Sequence, residues 1–321
     1  MNTELIKSII LGAVSIEADE NAVSFKRMKP EQKAAFIAED EGFALKTDAT
    51  AGVRFDFYTN SKHISFKYEM LCGSSRNFGF FDVLVNGTLY MHTGTTDVAN
   101  NKYGELNIEL NGQNNKVQIF FPNLANGRVL DFTLDDGATV TPCKPETKIL
   151  FFGDSITQGY DALFSSCSYA NRLGINFNAE VVNQAIGGAT FNKNVVAKTI
   201  EPSFIVIGYG TNDWSHKGKK ESLLDADEFY KAVRTCYPDT PAFSVLPIWR
   251  ADTAKETKAG NFYAWRKLLS ETAAKHNIVA VESIDFVPHD TVLFSDAYLH
   301  PNDQGFYFYA AHLTEKLKEL L

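Results

Sequence analysis

Three side chains in the second half of the chain could together make a usable nucleophile. Ser155 lies in Gly153-Asp154-Ser155-Ile156-Thr157-Gln158-Gly159, directly behind the apolar run Ile149-Leu150-Phe151-Phe152. A serine hydroxyl attacks poorly until a base removes its proton, so a histidine must be supplied from elsewhere in the chain. Of the seven histidines, His300 alone follows the last apolar run with a carboxylate just before it, in Ser295-Asp296-Ala297-Tyr298-Leu299-His300-Pro301-Asn302. The chain order is therefore Ser, Asp, His, and the Gly-x-Ser-x-Gly elbow of α/β-hydrolases is missing because Thr157 occupies its last position. Acyl transfer also needs donors for a developing oxyanion. Asn183-Gln184-Ala185-Ile186-Gly187-Gly188 and Gly208-Tyr209-Gly210-Thr211-Asn212-Asp213 offer them, through backbone N–H groups that glycine lets approach a ligand and through an uncharged asparagine amide.

These segments need a scaffold that brings strand ends together. Beyond residue 145, short apolar runs at Ile149–Phe152, Val181–Val182, Phe204–Ile207, Phe243–Leu246 and Ile278–Val281 read as buried strands. Between them lie helical stripes, Phe229, Val233 and Cys236 in one and Phe262, Trp265 and Leu269 in another, with a closing helix over Phe306–Leu321. The alternation predicts a parallel sheet covered on both faces, a three-layer α/β/α domain, with ligands bound beyond the carboxyl ends of its strands. The first half has a different period. Val53, Phe55 and Phe57, then Ile64, Phe66 and Tyr68, then Leu106, Ile108 and Leu110, then Val117, Ile119 and Phe121 alternate with mostly polar neighbours, and Asn86-Gly87 marks a tight hairpin. An antiparallel β-sandwich of jelly-roll type is expected over residues 1–145, and the α/β/α domain over 146–321, with Pro142 and Pro145 bracketing the passage between them.

The blocks Gly153-Asp154-Ser155, Gly188, Gly210-Thr211-Asn212-Asp213 and the Asp296/His300 loop, in that order, resemble the sequence blocks of SGNH (GDSL-type) hydrolases across roughly residues 148–321. The resemblance implies an ester hydrolase with Ser155 as nucleophile and His300 as base, oriented by Asp296. The Gly188 N–H, the Asn212 side chain and the Ser155 N–H would be the oxyanion donors. In that family two residues usually separate the acid from the histidine, whereas Ala297, Tyr298 and Leu299 intervene here. Some members work as a Ser-His dyad, so a triad and a dyad both stay open. Gly187 competes with Gly188, which its offset from Asn183 favours. The stretch Gly79–Gly87 is similar to the β-sandwich that precedes the catalytic domain in some two-domain carbohydrate acetylesterases.

Other side chains divide between chemistry and structure. Trp214 and His216 follow the Asn212 block and are candidates for lining an acyl or sugar pocket, against ordinary packing and a solvated loop. Asp154, next to the nucleophile, reads as a structural acceptor of backbone hydrogen bonds. His63, His92, His276, His289 and His312 have no partners ordered in sequence, so no metal site is indicated, and the proposed chemistry calls for no cofactor. Cys72, Cys143, Cys167 and Cys236 are spaced as free thiols.

With 45% hydrophobic and 22% charged residues, the 321-residue chain reads as globular, and a net charge of −8 argues against nucleic acid as a partner. No apolar run is long enough to cross a bilayer, and no export signal is evident, so a cytoplasmic protein without membrane association is expected. A small-molecule or oligosaccharide ester is the expected substrate, most simply an O-acetyl group on a carbohydrate. A lipid acyl esterase or thioesterase, and a carbohydrate-binding protein whose esterase half has decayed, are the alternatives.

Overall fold

The computed structural model describes residues 3–321. In its second half, five parallel strands stand in the spatial order Ala179–Asn183, Thr147–Gly153, Phe204–Gly208, Ala242–Val245, Val279–Val281. Because successive side chains along a strand point to opposite faces, each strand feeds two cores. Leu150, Phe152, Ile205 and Ile207 pack under the helices Lys219–Cys236 and Phe262–Ala274, through Phe229, Val233, Trp265 and Leu269. Ile149, Phe151 and Val206 face the helices Tyr169–Asn176 and Asp303–Leu320, through Leu173, Phe306, Leu313 and Leu317. The three-layer α/β/α expectation holds. The strand order reverses between Thr147–Gly153 and Phe204–Gly208, a switch point where the following loops part and leave a crevice.

The first half is a β-sandwich of two antiparallel sheets. One runs Ile10–Leu11, Arg54–Thr59, Asn115–Phe120, Gly79–Val85, Thr88–Thr95, with Val140–Pro142 also paired to Arg54–Thr59. The other runs Ser15–Ala18, Val23–Lys26, Ala125–Leu134, His63–Cys72, Tyr103–Glu109. Period two is visible in His63–Cys72, where Ile64, Phe66, Tyr68 and Met70 are buried and their neighbours are not. Phe55, Phe66, Phe81 and Phe121 interlock edge-to-face, with ring centroids 5.2 to 5.8 Å apart, and fill the space between the sheets. Asn86 and Gly87 form the two-residue hairpin turn, at φ 51° and 81°.

Residues 27–47 leave the sandwich. They form the helices Pro30–Glu39 and Phe43–Thr47, which the alternation beginning near Val53 gave no reason to expect, and Met28, Phe36 and Phe43 join the core of the α/β/α half. Arg27, fully buried, donates to the carbonyls of Ala49 and Asn183, and to those of Lys46 at 3.0 Å and Ala185 at 3.2 Å. Four acceptors for one guanidinium stitch the two halves at the end of strand Ala179–Asn183. The four cysteines are unpaired, and no helix among the described residues is long and apolar enough to cross a membrane.

Candidate active site

Strand Thr147–Gly153 ends in a single helical turn, Ser155–Gln158, that Asp154 caps by accepting the Ile156 N–H at 3.0 Å. The turn is tight because Thr157 folds back over the strand ends. A Cβ on Gly153 would lie 2.3 Å from the Thr157 hydroxyl oxygen, and one on its neighbour Gly208 would lie 2.5 Å from it. Only glycine at both positions lets the turn bring Ser155 to the mouth of the crevice. Asp154 lies beneath, where burial, with the Asp213 charge adding to it, pushes its carboxyl up to about 7 against the Ile156 N–H.

His300 reaches this serine from the loop between Phe294 and Pro301, whose ends are closed by a β-bridge and by the Ser295 N–H to His300 carbonyl bond at 2.9 Å. Its Nε2 lies 2.9 Å from Ser155 Oγ, and its Nδ1 lies 2.8 Å from Asp296 Oδ2. The three intervening residues do not separate acid from base, because Ala297 takes up the left-handed conformation, at φ 53°. The other Asp296 oxygen then accepts the N–H groups of Tyr298, Leu299 and His300 at 2.9, 2.7 and 3.1 Å. Burial tends to raise the Asp296 carboxyl, but the His300 ring and these N–H groups outweigh it and hold it well below the usual carboxylate range. A hydroxyl, an imidazole and an ionised carboxylate in line can move a proton off Ser155.

Beyond the neighbouring strand Ala179–Asn183, the Gly187 N–H donates to Gln158 Oε1 at 2.7 Å. Gly188, exposed and at φ 92°, makes no backbone N–H bond among the described residues, so of the two glycines it has the donor free. Asn212, the second residue of the helix Thr211–His216, spends one amide hydrogen on the Ala189 carbonyl at 3.0 Å, leaving the second. Gly188, Asn212 and the Ser155 N–H that heads its turn thus come from three adjacent strand ends.

The two candidate pocket residues part ways. Trp214 is fully buried, donates Nε1 to the Gly260 carbonyl at 2.8 Å and packs edge-on against Phe262. It is a core residue and cannot line a pocket, because its indole is used up inside the fold. His216 is exposed one helical turn beyond Asn212.

Several residues that gave no signal in the sequence surround the site. Arg250, nearly fully buried, bonds Thr211 Oγ1 at 3.0 Å and Ser215 Oγ at 2.8 Å on the Asn212 helix, and the Tyr298 hydroxyl at 2.5 Å on the His300 loop. It ties one side of the site to the other. Lys46, from the first half, donates to the Gly187 carbonyl at 2.7 Å, and burial lowers its ammonium. Tyr160 stacks on His300 at 5.6 Å, and its ring fills the space a Cβ on Gly187 would need. Asp161, Asp296 and His300 place ligand-type atoms within 4.8 Å of one another, but Arg76 holds both Asp161 oxygens, at 2.6 and 2.9 Å. The cluster is organised around protein groups rather than around an ion.

Residues 151–307 match the GDSL-like lipase/acylhydrolase family model. A comparison with curated protein sequences finds no match. Among solved structures, the chain is similar to the salicylyl-acyltransferase SsfX3 of a tetracycline biosynthetic pathway, with TM-score 0.77 and 20% identity over 97% of this chain and 94% of that one. It is similar to a putative GDSL-like lipase from Bacteroides ovatus, with TM-score 0.74 and 19% identity over 98% and 96% of the two chains. It is also similar to an acetyl xylan esterase from the rumen bacterium Butyrivibrio proteoclasticus, with TM-score 0.63 and 12% identity over 97% and 95%. At these identities the likeness is one of fold, and it spans both halves of the molecule.

Proposed function

From a catalytic domain that belongs to the GDSL-like lipase/acylhydrolase family, we propose that the protein is a serine esterase removing short acyl groups, chiefly acetyl, from a carbohydrate. The observation that carries the reading is the continuous line from Ser155 Oγ through His300 to Asp296, at 2.9 and 2.8 Å. Ser155 attacks the ester carbonyl while His300 Nε2 takes its proton, and Asp296 steadies the imidazolium that forms. The Gly188 N–H, the free Asn212 amide hydrogen and the Ser155 N–H receive the oxyanion. His300 then returns the proton to the leaving alcohol, and water repeats the sequence to release the acid.

The choice of acetyl on a sugar is supported by the likeness in fold to an acetyl xylan esterase and by a catalytic half without a lid-like amphipathic insertion of the kind a long acyl chain calls for. His216, at the rim beyond Asn212, is the proposed contact for the sugar. SsfX3 is an acyltransferase, and the same acyl-serine intermediate would serve acyl transfer here if an alcohol replaced water in the second step.

The test is acetate release from an acetylated oligosaccharide and from p-nitrophenyl esters of increasing chain length, with Ser155→Ala alongside. Turnover that is greatest with acetyl and falls by several orders of magnitude in the variant is expected. Preference for long chains would favour a lipid esterase or thioesterase, and no release from any ester would favour a sugar-binding protein with a decayed site.

A further inference from the structure

A second carboxylate stands beside the base. Asp161 Oδ2 lies 3.6 Å from His300 Nδ1, the same ring nitrogen that Asp296 engages at 2.8 Å. Its backbone is strained to reach that place: Asp161 adopts φ 67°, a conformation non-glycine residues rarely take, and its carbonyl accepts the Ser295 hydroxyl at 3.3 Å, next to Asp296 in the chain. Both of its side-chain oxygens are gripped by Arg76, through Nε at 2.6 Å and Nη2 at 2.9 Å. Arg76 comes from the other half of the molecule, on the loop between strands His63–Cys72 and Gly79–Val85. That loop is held in turn by the Arg76 N–H on Ser74 Oγ at 3.0 Å and by Asn77, whose carbonyl and side chain accept the N–H groups of Val98 and Ala99, both at 2.9 Å. The guanidinium also lies 5.3 Å over the Tyr160 ring, which stacks on His300.

We infer that Arg76 and Asp161 form a positioning pair by which the β-sandwich sets the charge around the catalytic imidazole, Arg76 cancelling a second carboxylate that would otherwise hold His300 protonated. The inference rests on the esterase reading for its meaning but not for its test. A base must be neutral to accept the serine proton, and a carboxylate within about 4 to 6 Å favours the charged imidazolium. One such carboxylate, Asp296, orients the ring. A second, uncompensated one would raise the pH needed to free Nε2. The charged and titratable groups facing the ring among the described residues are Asp296 on its own loop, Asp161, Tyr160 and Ser155 on the segment after strand Thr147–Gly153, and Arg76 behind Asp161.

Two substitutions should move His300 in opposite directions. Arg76→Gln leaves Asp161 uncompensated 3.6 Å from Nδ1, and the pH at which the His300 ring signals titrate in NMR should rise. Asp161→Asn leaves Arg76 unpaired, and the same titration should move down. The double variant should return near the starting point, because the two charges act as a unit. In parallel, the acid limb of the kcat/KM profile for p-nitrophenyl acetate should follow the ring titration, with the rate on its alkaline plateau kept within a few-fold in Arg76→Gln. A purely structural pair would lower rate or melting temperature without opposite shifts. If Arg76→Gln does not fold, the downward shift in Asp161→Asn decides alone. Unmoved titrations in folded variants overturn the inference, even where Ser155→Ala confirms the esterase. Opposite shifts in a protein that hydrolyses no ester would support the pair and sink only the esterase reading.

Discussion

The two sides of Ser155 are held by different physics. On the proposed oxyanion side, the loop carrying Gly187 and Gly188 is held mainly through its backbone, by Arg27 on the carbonyls of Asn183 and Ala185, Lys46 on the Gly187 carbonyl and Gln158 on the Gly187 N–H, with Gln32 on Gln184 at 2.9 Å. On the base side, the Asp296 and His300 side chains are 30% and 14% exposed, and charge does the holding, from Asp296, Asp161, Arg76 and Arg250. An oxyanion donor must stay still while charge develops in front of it, which rigid packing provides. A base must change its own charge during the reaction, which requires neighbours that set its protonation. The oxyanion side should therefore be sensitive to shape, and the base side to charge and pH.

The sharpest break on the base side is Asp296→Asn. An asparagine oxygen can still accept the N–H groups of Tyr298, Leu299 and His300, so the loop survives and only the charge facing Nδ1 is lost. Turnover should fall by as much as about 10⁴-fold, as expected when an imidazole is left without its carboxylate. A loss below about tenfold would mean that Ser155 and His300 work as a dyad. On the oxyanion side, Asn212→Ala should lower kcat by about 10² to 10³-fold with little change in KM or in the pH profile, because one preorganised donor is removed and no titrating group is touched. A changed pH profile in that variant would blur the contrast between the two sides.

Much of this arrangement was legible in the sequence, and the limits of legibility were physical. Period two in Ile64, Phe66 and Tyr68, and the apolar runs such as Ile149–Phe152, announce strands because one or both faces must be buried. The glycine-flanked blocks at Ser155, Gly188 and Asn212 stand out because close approach to a ligand restricts residue type. The partners that hold those blocks do not stand out. Arg27, Lys46 and Arg76 lie 156, 141 and 85 residues along the chain from Asn183, Gly187 and Asp161, and only the docking of residues 27–47 and of the sandwich loop brings them in. Trp214 shows a related limit: an indole beside the proposed oxyanion block could line an acyl or sugar pocket or simply pack, and the fold buries it on the inner face of its helix, against Arg250.

Arg250 joins the two sides, and its link can be cut mildly. Tyr298→Phe removes a hydroxyl that accepts from Arg250 Nη2 at 2.5 Å and donates to Asp252 Oδ2 at 2.5 Å, while leaving the ring over the guanidinium. A drop of about tenfold or less in kcat/KM is expected, since one such bond has a net worth of about 1 kcal/mol. An effect as large as that of Asp296→Asn would place Tyr298 in the chemistry itself.

The smallest effect expected is on stability, beneath the oxyanion side. Burial pushes the Asp213 carboxyl up to about 7, with one oxygen on the Phe191 N–H at 3.2 Å and the other without a partner among the described residues. A folded-state value raised above that of the unfolded chain means the native protein keeps a proton that the unfolded chain releases near pH 4. The stabilisation this gives is complete below that pH and is lost as pH rises through about 7. Between pH 6 and 7 it should decline by about 1 kcal/mol, read from urea midpoints. Asp213→Asn should remove that share of the slope, since an amide can still accept the Phe191 N–H and does not titrate. Asp154 and Asp303, raised by burial to about 7 and about 6, contribute to the slope that remains. If the slope were unchanged in the variant, Asp213 would already be ionised in the native protein at pH 6, and a buried charge beside Asn212 would have to be counted among the groups that shape the oxyanion side.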